Sequence, residues 1–401
     1  MRLDKLEWTR KMLGEILVAN YGKSLPKTKR IAGNINVYGS GGIVGSHNEY
    51  LVKGPGIIIG RKGTVGSINY VKDNYYPIDT VYYIQEGLDY DLKFLFYKLK
   101  TIGLDKMNTH SAVPGLNREH MYSKEVLMPK INEQKAIAKI LSDLDEKIEV
   151  NNKINKNLEE MAQAIFKQWF VDFEFPNEEG KPYKSSGGEM VESELGMIPK
   201  TFSISTLGNE VKTIDNRGKT PPLEKEKTEY PIIDVKVLAG SSRIINYNNC
   251  LKFVNEETYK NWFRSGHPLE KDILISTVGS LAELKMFFGH KGCIAQNVVA
   301  LRSINISSFY MYEYLKYIKP KLVSYNIGSV QPSIKITHIM KHNIIIPEKN
   351  IVLKYDNLIN SIIEKIYNNE NENERLEKLR DTLLPKLMSG EIRVPLENSE
   401  N

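Results

Sequence analysis

Cysteine is nearly missing from this 401-residue chain: Cys250 and Cys293 stand far apart and form no CxxC pair. That spacing excludes a disulfide framework and a zinc knuckle. The seven histidines are scattered, with no HExxH and no other metal-ligand spacing. No apolar run approaches the length of a membrane span. The opening residues, MRLDKLEWTRKMLGEIL, lack the uninterrupted apolar stretch of a signal peptide. The expectation is a cytoplasmic protein with no membrane partner. Phosphate-binding loops also fail. Tyr38-Gly-Ser-Gly-Gly-Ile-Val-Gly45 has Val44 where the third glycine of G-x-G-x-x-G belongs, and Thr213 stands where a P-loop ending in Gly218-Lys219-Thr220 needs its first glycine. Thr220-Pro221-Pro222-Leu223 lacks both ends of the adenine-methyltransferase Asn-Pro-Pro-aromatic tetrapeptide. Asp215, Asp234 and Lys236 can be forced into a metal-dependent nuclease pattern, but the matching stretch of the first half, Asn36-Val37-Tyr38, has no such residues. No catalytic apparatus is legible, and no metal or cofactor is expected on this chain.

What the sequence does have is unevenly distributed charge. Residues 1–130 hold 19 Lys+Arg against 12 Asp+Glu, and residues 201–348 hold 19 against 13. The segments 131–170, 171–200 and 349–401 are each net acidic. All of the positive excess therefore sits in two globular heads, the footprint of a protein that touches a polyanion with them.

The chain also repeats itself. Leu141, Leu144, Ile148, Asn151, Asn155, Leu158, Ala162, Ile165 and Trp169 form a seam with alternating steps of three and four residues. Moving 218 residues along gives Ile359, Ile362, Ile366, Asn369, Asn373, Leu376, Arg380, Leu383 and Leu387. This is the period of a coiled-coil seam. Asn151, Asn155, Asn369 and Asn373 fall at matched central positions, where Asn fixes register at some cost in stability. An antiparallel pair centred on these layers puts Asn155 near Asn373 and Leu141 near Leu387. The heads repeat as well. Gly60–Gly66 falls on Ser276–Ala282, Asp79-Thr80-Val81 on Gln296-Asn297-Val298, and Ser111–Pro114 on Ser329–Pro332.

The expected fold is α+β, with two tandem repeated domains (1–130 and 201–348), each followed by a long helix (131–170 and 349–394). The two helices pack as an antiparallel coiled coil. Pro176, Pro182, Pro199 and an acidic, apolar-poor composition predict an extended connector over 171–200; residues 395–401 read as a disordered tail. Equal scaffolds with unequal loops suggest two related sites that read different things.

The polar loop residues are the functional candidates. In the first head they are Lys23, Lys27, Lys29, Arg30, Arg61, Lys62, Thr64, Ser111, Asn117 and Arg118. In the second they are Arg217, Lys219, Thr220, Ser276, Thr277, Ser280, Gln296, Asn297, Ser329, Gln331 and Lys335. Arg, Lys, Asn and Gln can contact base edges, while Ser, Thr and Lys grip phosphates.

Four stretches carry a resemblance. They are Tyr38–Gly45 with Ile59–Gly66; Pro129-x-x-x-Glu133-Gln134-x-x-Ile137; Trp169-Phe-Val-Asp-Phe173 followed by Ser185–Met190 and Ser193–Pro199; and Leu379-Arg-x-x-Leu-Leu-Pro-Lys-Leu-x-Ser-Gly390. With these, the chain resembles the specificity subunit of type I restriction–modification enzymes over essentially its whole length. Phe202 departs from the family's usual Trp, and Pro347-Glu-Lys-Asn-Ile-Val lacks the Glu-Gln pair. The resemblance implies two target-recognition domains that bind double-stranded DNA, and helices that space them and dock two modification (methyltransferase) subunits. S-adenosylmethionine, ATP and Mg are then expected on partner subunits, with restriction subunits completing the full complex. A self-sufficient nuclease using Asp215, Asp234 and Lys236, or an orphan DNA-binding adaptor, are the other readings.

Overall fold

Ile57, Ile58 and Ile59, flanked by Gly56 and Gly60, are wholly buried. A continuous apolar run between glycines forms a central strand covered on both faces. In the computed structural model, which describes residues 8–107, 115–289, 291–294 and 296–395, this strand organises the first of two units. Residues 1–149 with 373–401 form unit one, and residues 150–372 form unit two. Ser111 and residues 396–401 of the expected tail lie outside the described residues.

In unit one a four-stranded antiparallel sheet runs in the order Asn20–Tyr21, Val81–Ile84, Gly56–Gly60, Ile68–Val71. Beside it, Ile35–Gly39 pairs antiparallel with Gly42–His47 and parallel with Tyr75–Pro77. The glycine-rich Tyr38–Gly45 run is therefore a hairpin corner, not a phosphate loop. Thr9–Met12 pairs with Glu125–Met128. Helix Leu92–Lys100 starts where the Asp91 carboxylate accepts the Phe94 N–H at 2.8 Å.

Unit two repeats these three sheets strand for strand. Its four-stranded sheet runs Val211–Ile214, Val298–Ser303, Ile273–Ser276, Leu284–Met286. Tyr230–Ile233 pairs antiparallel with Phe253–Val254 and parallel with Cys293–Ile294, and Ser203–Thr206 pairs with Asn343–Ile346. Helix Ser308–Tyr317 stands where Leu92–Lys100 stands in unit one.

The register read from the sequence recurs as the same hydrogen bonds. Arg61 N–H donates to Thr80 O at 2.9 Å, and Thr277 N–H to Asn297 O at 2.8 Å. Leu116 N–H donates to Arg61 O at 2.9 Å, and Ile334 N–H to Thr277 O at 2.8 Å. Gly66, at φ 74°, is matched by Ala282 at φ 53°. The second copy thus keeps a left-handed turn at a residue that pays a steric cost for it.

Two long helices, Ile131–Phe166 and Lys349–Ser389, contribute to both units. In unit one the start of the first helix meets the end of the second. Ile137, Ala138 and Leu141 share a core with Leu387 and Met388, and Arg380 pairs with Asp145 at 2.8 Å. In unit two the end of the first meets the start of the second, as Ala162 and Trp169 share a core with Ile359, Ile362 and Ile366. Within each unit the pairing is antiparallel.

In unit two an Asn layer joins the helices, with Asn369 Nδ2 donating to Asn155 Oδ1 at 2.8 Å. Glu370 and Glu372 join this layer and accept from Asn155 and Asn151. One expectation needs correcting: the connector is not an extended strap. Phe175 stacks on Tyr183 at 4.6 Å and on Phe202 at 5.3 Å, and Met190–Ser193 forms a hairpin with Gly196–Pro199. Its few aromatics are spaced to stack on one another and dock in the core of unit two, which outweighs the polar composition.

Candidate nucleic-acid interface

In unit one, the end of strand Asn20–Tyr21, the turn after Gly60 and the loop before helix Arg118–Tyr122 converge on one shallow pocket. It measures about 280 Å³ and is lined by Tyr21, Arg61, Lys62, Tyr82, Asn117 and Arg118, among others. The Tyr21 ring has a guanidinium over it from two residues, Arg61 at 5.2 Å and Arg118 at 5.1 Å. Arg61 also lies 5.9 Å from the Tyr82 ring, and the Tyr82 hydroxyl donates to Leu116 O at 3.0 Å. Stacking on rings fixes the guanidinium planes and leaves their edges to donate. Arg61 spends one edge on Asp79 O at 3.0 Å, while Arg118 has only a loose ion pair with Glu119 at 3.6 Å. The Nε atoms of both arginines are buried without a hydrogen-bond partner. Asn117 caps the helix by accepting the His120 N–H at 3.0 Å. Lys62 is exposed on the pocket's rim, and Thr64 is exposed in the same turn.

The remaining residues of this head scatter. Lys23, Lys27 and Lys29 are exposed on the segment that follows the edge strand, the last two in a 3-10 turn. Arg30 is a structural clamp rather than a free contact: it donates to Leu25 O at 3.3 Å and to Val44 O at 2.7 Å, holding the hairpin.

In unit two, Ser276 and Thr277 have no exposed surface, so their expected role as side-chain DNA contacts is corrected. The Ser276 hydroxyl bridges the turn, donating to Ser280 O and accepting from Glu283 N–H. Thr277 donates to Asn297 O at 3.3 Å. Arg217 grips both oxygens of Asp215 through Nε, at 2.8 and 3.0 Å. Burial works to raise the Asp215 pKa, but these bonds bring it below the ordinary carboxylate value. Asp234 instead accepts from Lys236 N–H and pairs with Lys252 at 3.4 Å. The carboxylates of the nuclease reading are thus engaged by different local cations, and among the described residues no cluster of three or more His, Cys, Asp or Glu could hold a metal. Gln296 donates to Thr220 at 3.2 Å, joining two expected residues. Asn297 is half-buried in the same turn, and Lys219, Ser280, Ser329, Gln331 and Lys335 are exposed.

The sequence reading missed Tyr21 and Tyr82. A tyrosine in a strand reads as core, and only the pairing of the two strands brings the rings together, 5.1 Å apart.

Two duplicated α+β units, each presenting loops of different chemistry on one frame, define a class of tandem-domain protein. The comparisons name that class. The family model for the type I restriction modification DNA specificity domain matches residues 5–160 and again 199–381. The MjaIX specificity subunit of Methanocaldococcus jannaschii is 31% identical over 320 residues, covering 77% of this chain and 71% of that protein. The HindI specificity subunit of Haemophilus influenzae is 26% identical over 334 residues, covering 70% of this chain and 71% of that one. In fold, the crystal structure of a type I restriction-modification S subunit from M. genitalium superposes with a TM-score of 0.58 at 18% identity, covering 97% of this chain and 98% of the other. The chain belongs to the DNA specificity subunits of type I restriction–modification systems. No helix among the described residues is long and apolar enough to cross a membrane.

Proposed function

We propose that each unit reads one half of a bipartite site on double-stranded DNA, and that the long helices space the two half-sites and dock two methyltransferase subunits. S-adenosylmethionine, ATP and Mg belong to those partners and to the restriction subunits of the complete assembly; this chain supplies recognition. The observation that carries the reading is the shared backbone frame on which loop side chains differ between units. Catalysis would need the same chemistry twice, whereas recognition of two unlike half-sites needs one frame and two sets of contacts. The basic excess of both heads supplies the sequence-independent part of the affinity, so binding should weaken steeply with salt.

The test is a selection from random duplexes by the full chain co-expressed with its methyltransferase partners. A motif of two defined blocks around an unspecified spacer is expected. A single contiguous block, or no motif, would refute the reading, as would plasmid cleavage by the purified chain alone in Mg²⁺.

A further inference from the structure

The Tyr21 pocket of unit one is framed by Arg61 and Arg118. We propose that it receives the edge of a guanine in the first half-site, with Arg118 donating to the two acceptors of that edge, Arg61 as the second donor, and Tyr21 as the positioning residue that holds both guanidiniums. This rests on the reading of the units as DNA-recognition heads.

Three observations carry it. First, the two guanidiniums lie over the faces of one ring at 5.2 and 5.1 Å, so their donors project only in fixed planes. That arrangement suits a planar acceptor pair, such as guanine N7 and O6 in the major groove. Second, donors are left over. The Arg118 side chain keeps 35% of its surface exposed and makes no hydrogen bond among the described residues, only the 3.6 Å ion pair with Glu119. Its terminal N–H donors are therefore open to an acceptor on a ligand.

Third, unit two provides an internal control. The pairings Tyr21 with Tyr82 and Ile214 with Ala300 place Asp215 at the position of Tyr21, and Val299 at that of Tyr82. The turn bonds place Thr277 at the position of Arg61 and Ile336 at that of Arg118. The frame is kept to within a few tenths of an ångström in its hydrogen bonds, yet every side chain of the pocket has changed. Thr277 is fully buried, and Asp215 is neutralised by Arg217. A phosphate contact serves any DNA sequence, so two copies of one DNA-binding frame would be expected to retain it. A base reader has to differ between two unlike half-sites. The complete replacement of a cationic, aromatic pocket therefore favours a base edge over the backbone.

The experiment is the same duplex selection, run on the wild type, Arg118→Lys and Arg118→Gln. The wild type should demand guanine at one position of one half-site. Arg118→Lys keeps the charge and removes the fork, so preference at that position should fall roughly 10- to 100-fold. The other half-site and the salt slope should be unchanged. Arg118→Gln should move the preference at that position toward adenine, whose N6 and N7 suit a side-chain amide; neither misfolding nor a lost phosphate contact produces that change. A uniform loss of affinity with the motif intact, or a motif with no guanine in the affected half-site, overturns the pocket assignment alone. A wild type that selects no bipartite motif would instead strike the functional reading beneath it.

Discussion

Asn155 and Asn369 show how one polar pair can matter inside an apolar seam. Both are about 95% buried or more, and their amides are hydrogen-bonded to each other. Asn155→Ala removes the acceptor of the Asn369 amide and should cost roughly 1–3 kcal/mol in urea unfolding. Replacing both with Ala should cost less than the sum of the two single losses, because the bond they share is lost only once; additive losses in the double variant would show that the pair is not coupled. Lys98 is a second such residue. Buried and donating to Met388 O at 2.6 Å, it has its pKa pushed down by burial from 10.5 to about 8. The folded state therefore disfavours the charged form that the unfolded chain keeps up to about pH 10.5. Stability is lower below pH 8 and is regained as pH rises from about 8 toward 10.5. Thermal unfolding of wild type and Lys98→Met across that window should show the rise only in the wild type, and parallel curves would remove the explanation.

Among the elements, the first long helix is fastened to unit two by a buried charge network. Arg243 has no exposed surface and pairs with Glu159 of that helix at 2.8 Å and with Glu313 of helix Ser308–Tyr317 at 2.7 Å. Its guanidinium lies 4.9 Å from the Tyr312 ring. Burial raises the Glu313 pKa despite Arg243, while for Glu159 the opposing pull of Arg243 outweighs burial and the pKa falls. Arg243→Met strands two buried carboxylates and should destabilise unit two by roughly 3–5 kcal/mol at neutral pH. The loss should shrink in acid as the carboxylates take up protons, and a pH-independent loss would point to packing alone. None of this network was legible in the sequence, because Arg243 sits in a Ser-Ser-Arg-Ile loop with the signature of a surface turn. Periodicity did reveal the strands around Ile57–Ile59 and Ile273–Ile275, the helix seam and the repeat register, since each leaves a local pattern. The carboxylates around Asn151 and Asn155, the burial of Thr277 and the rings beneath Arg61 and Arg118 depend on which elements meet, and no spacing records that.

For the whole molecule, the spacer reading makes a length-dependent claim. Seven residues inserted into one long helix alone should break the register that Asn155 and Asn369 hold, and with it binding. One heptad in each helix should preserve the seam and add ~10 Å, at 1.5 Å per residue. That is about three base pairs of additional unspecified DNA at ~3.4 Å each. The methylated motif of the double-insertion variant, mapped by single-molecule sequencing, checks it. Activity with an unchanged spacer would leave the helices as a docking surface only.

The matched turns after Gly60 and Ser276 are held by main-chain bonds, which do not depend on the identity of the side chains they carry. Either head can then drift to a new half-site without informing the other. A population holding a handful of first heads and a handful of second heads has access to the product of the two numbers, not their sum. On this reading, diversity in what the protein recognises is combinatorial, and it costs the scaffold nothing.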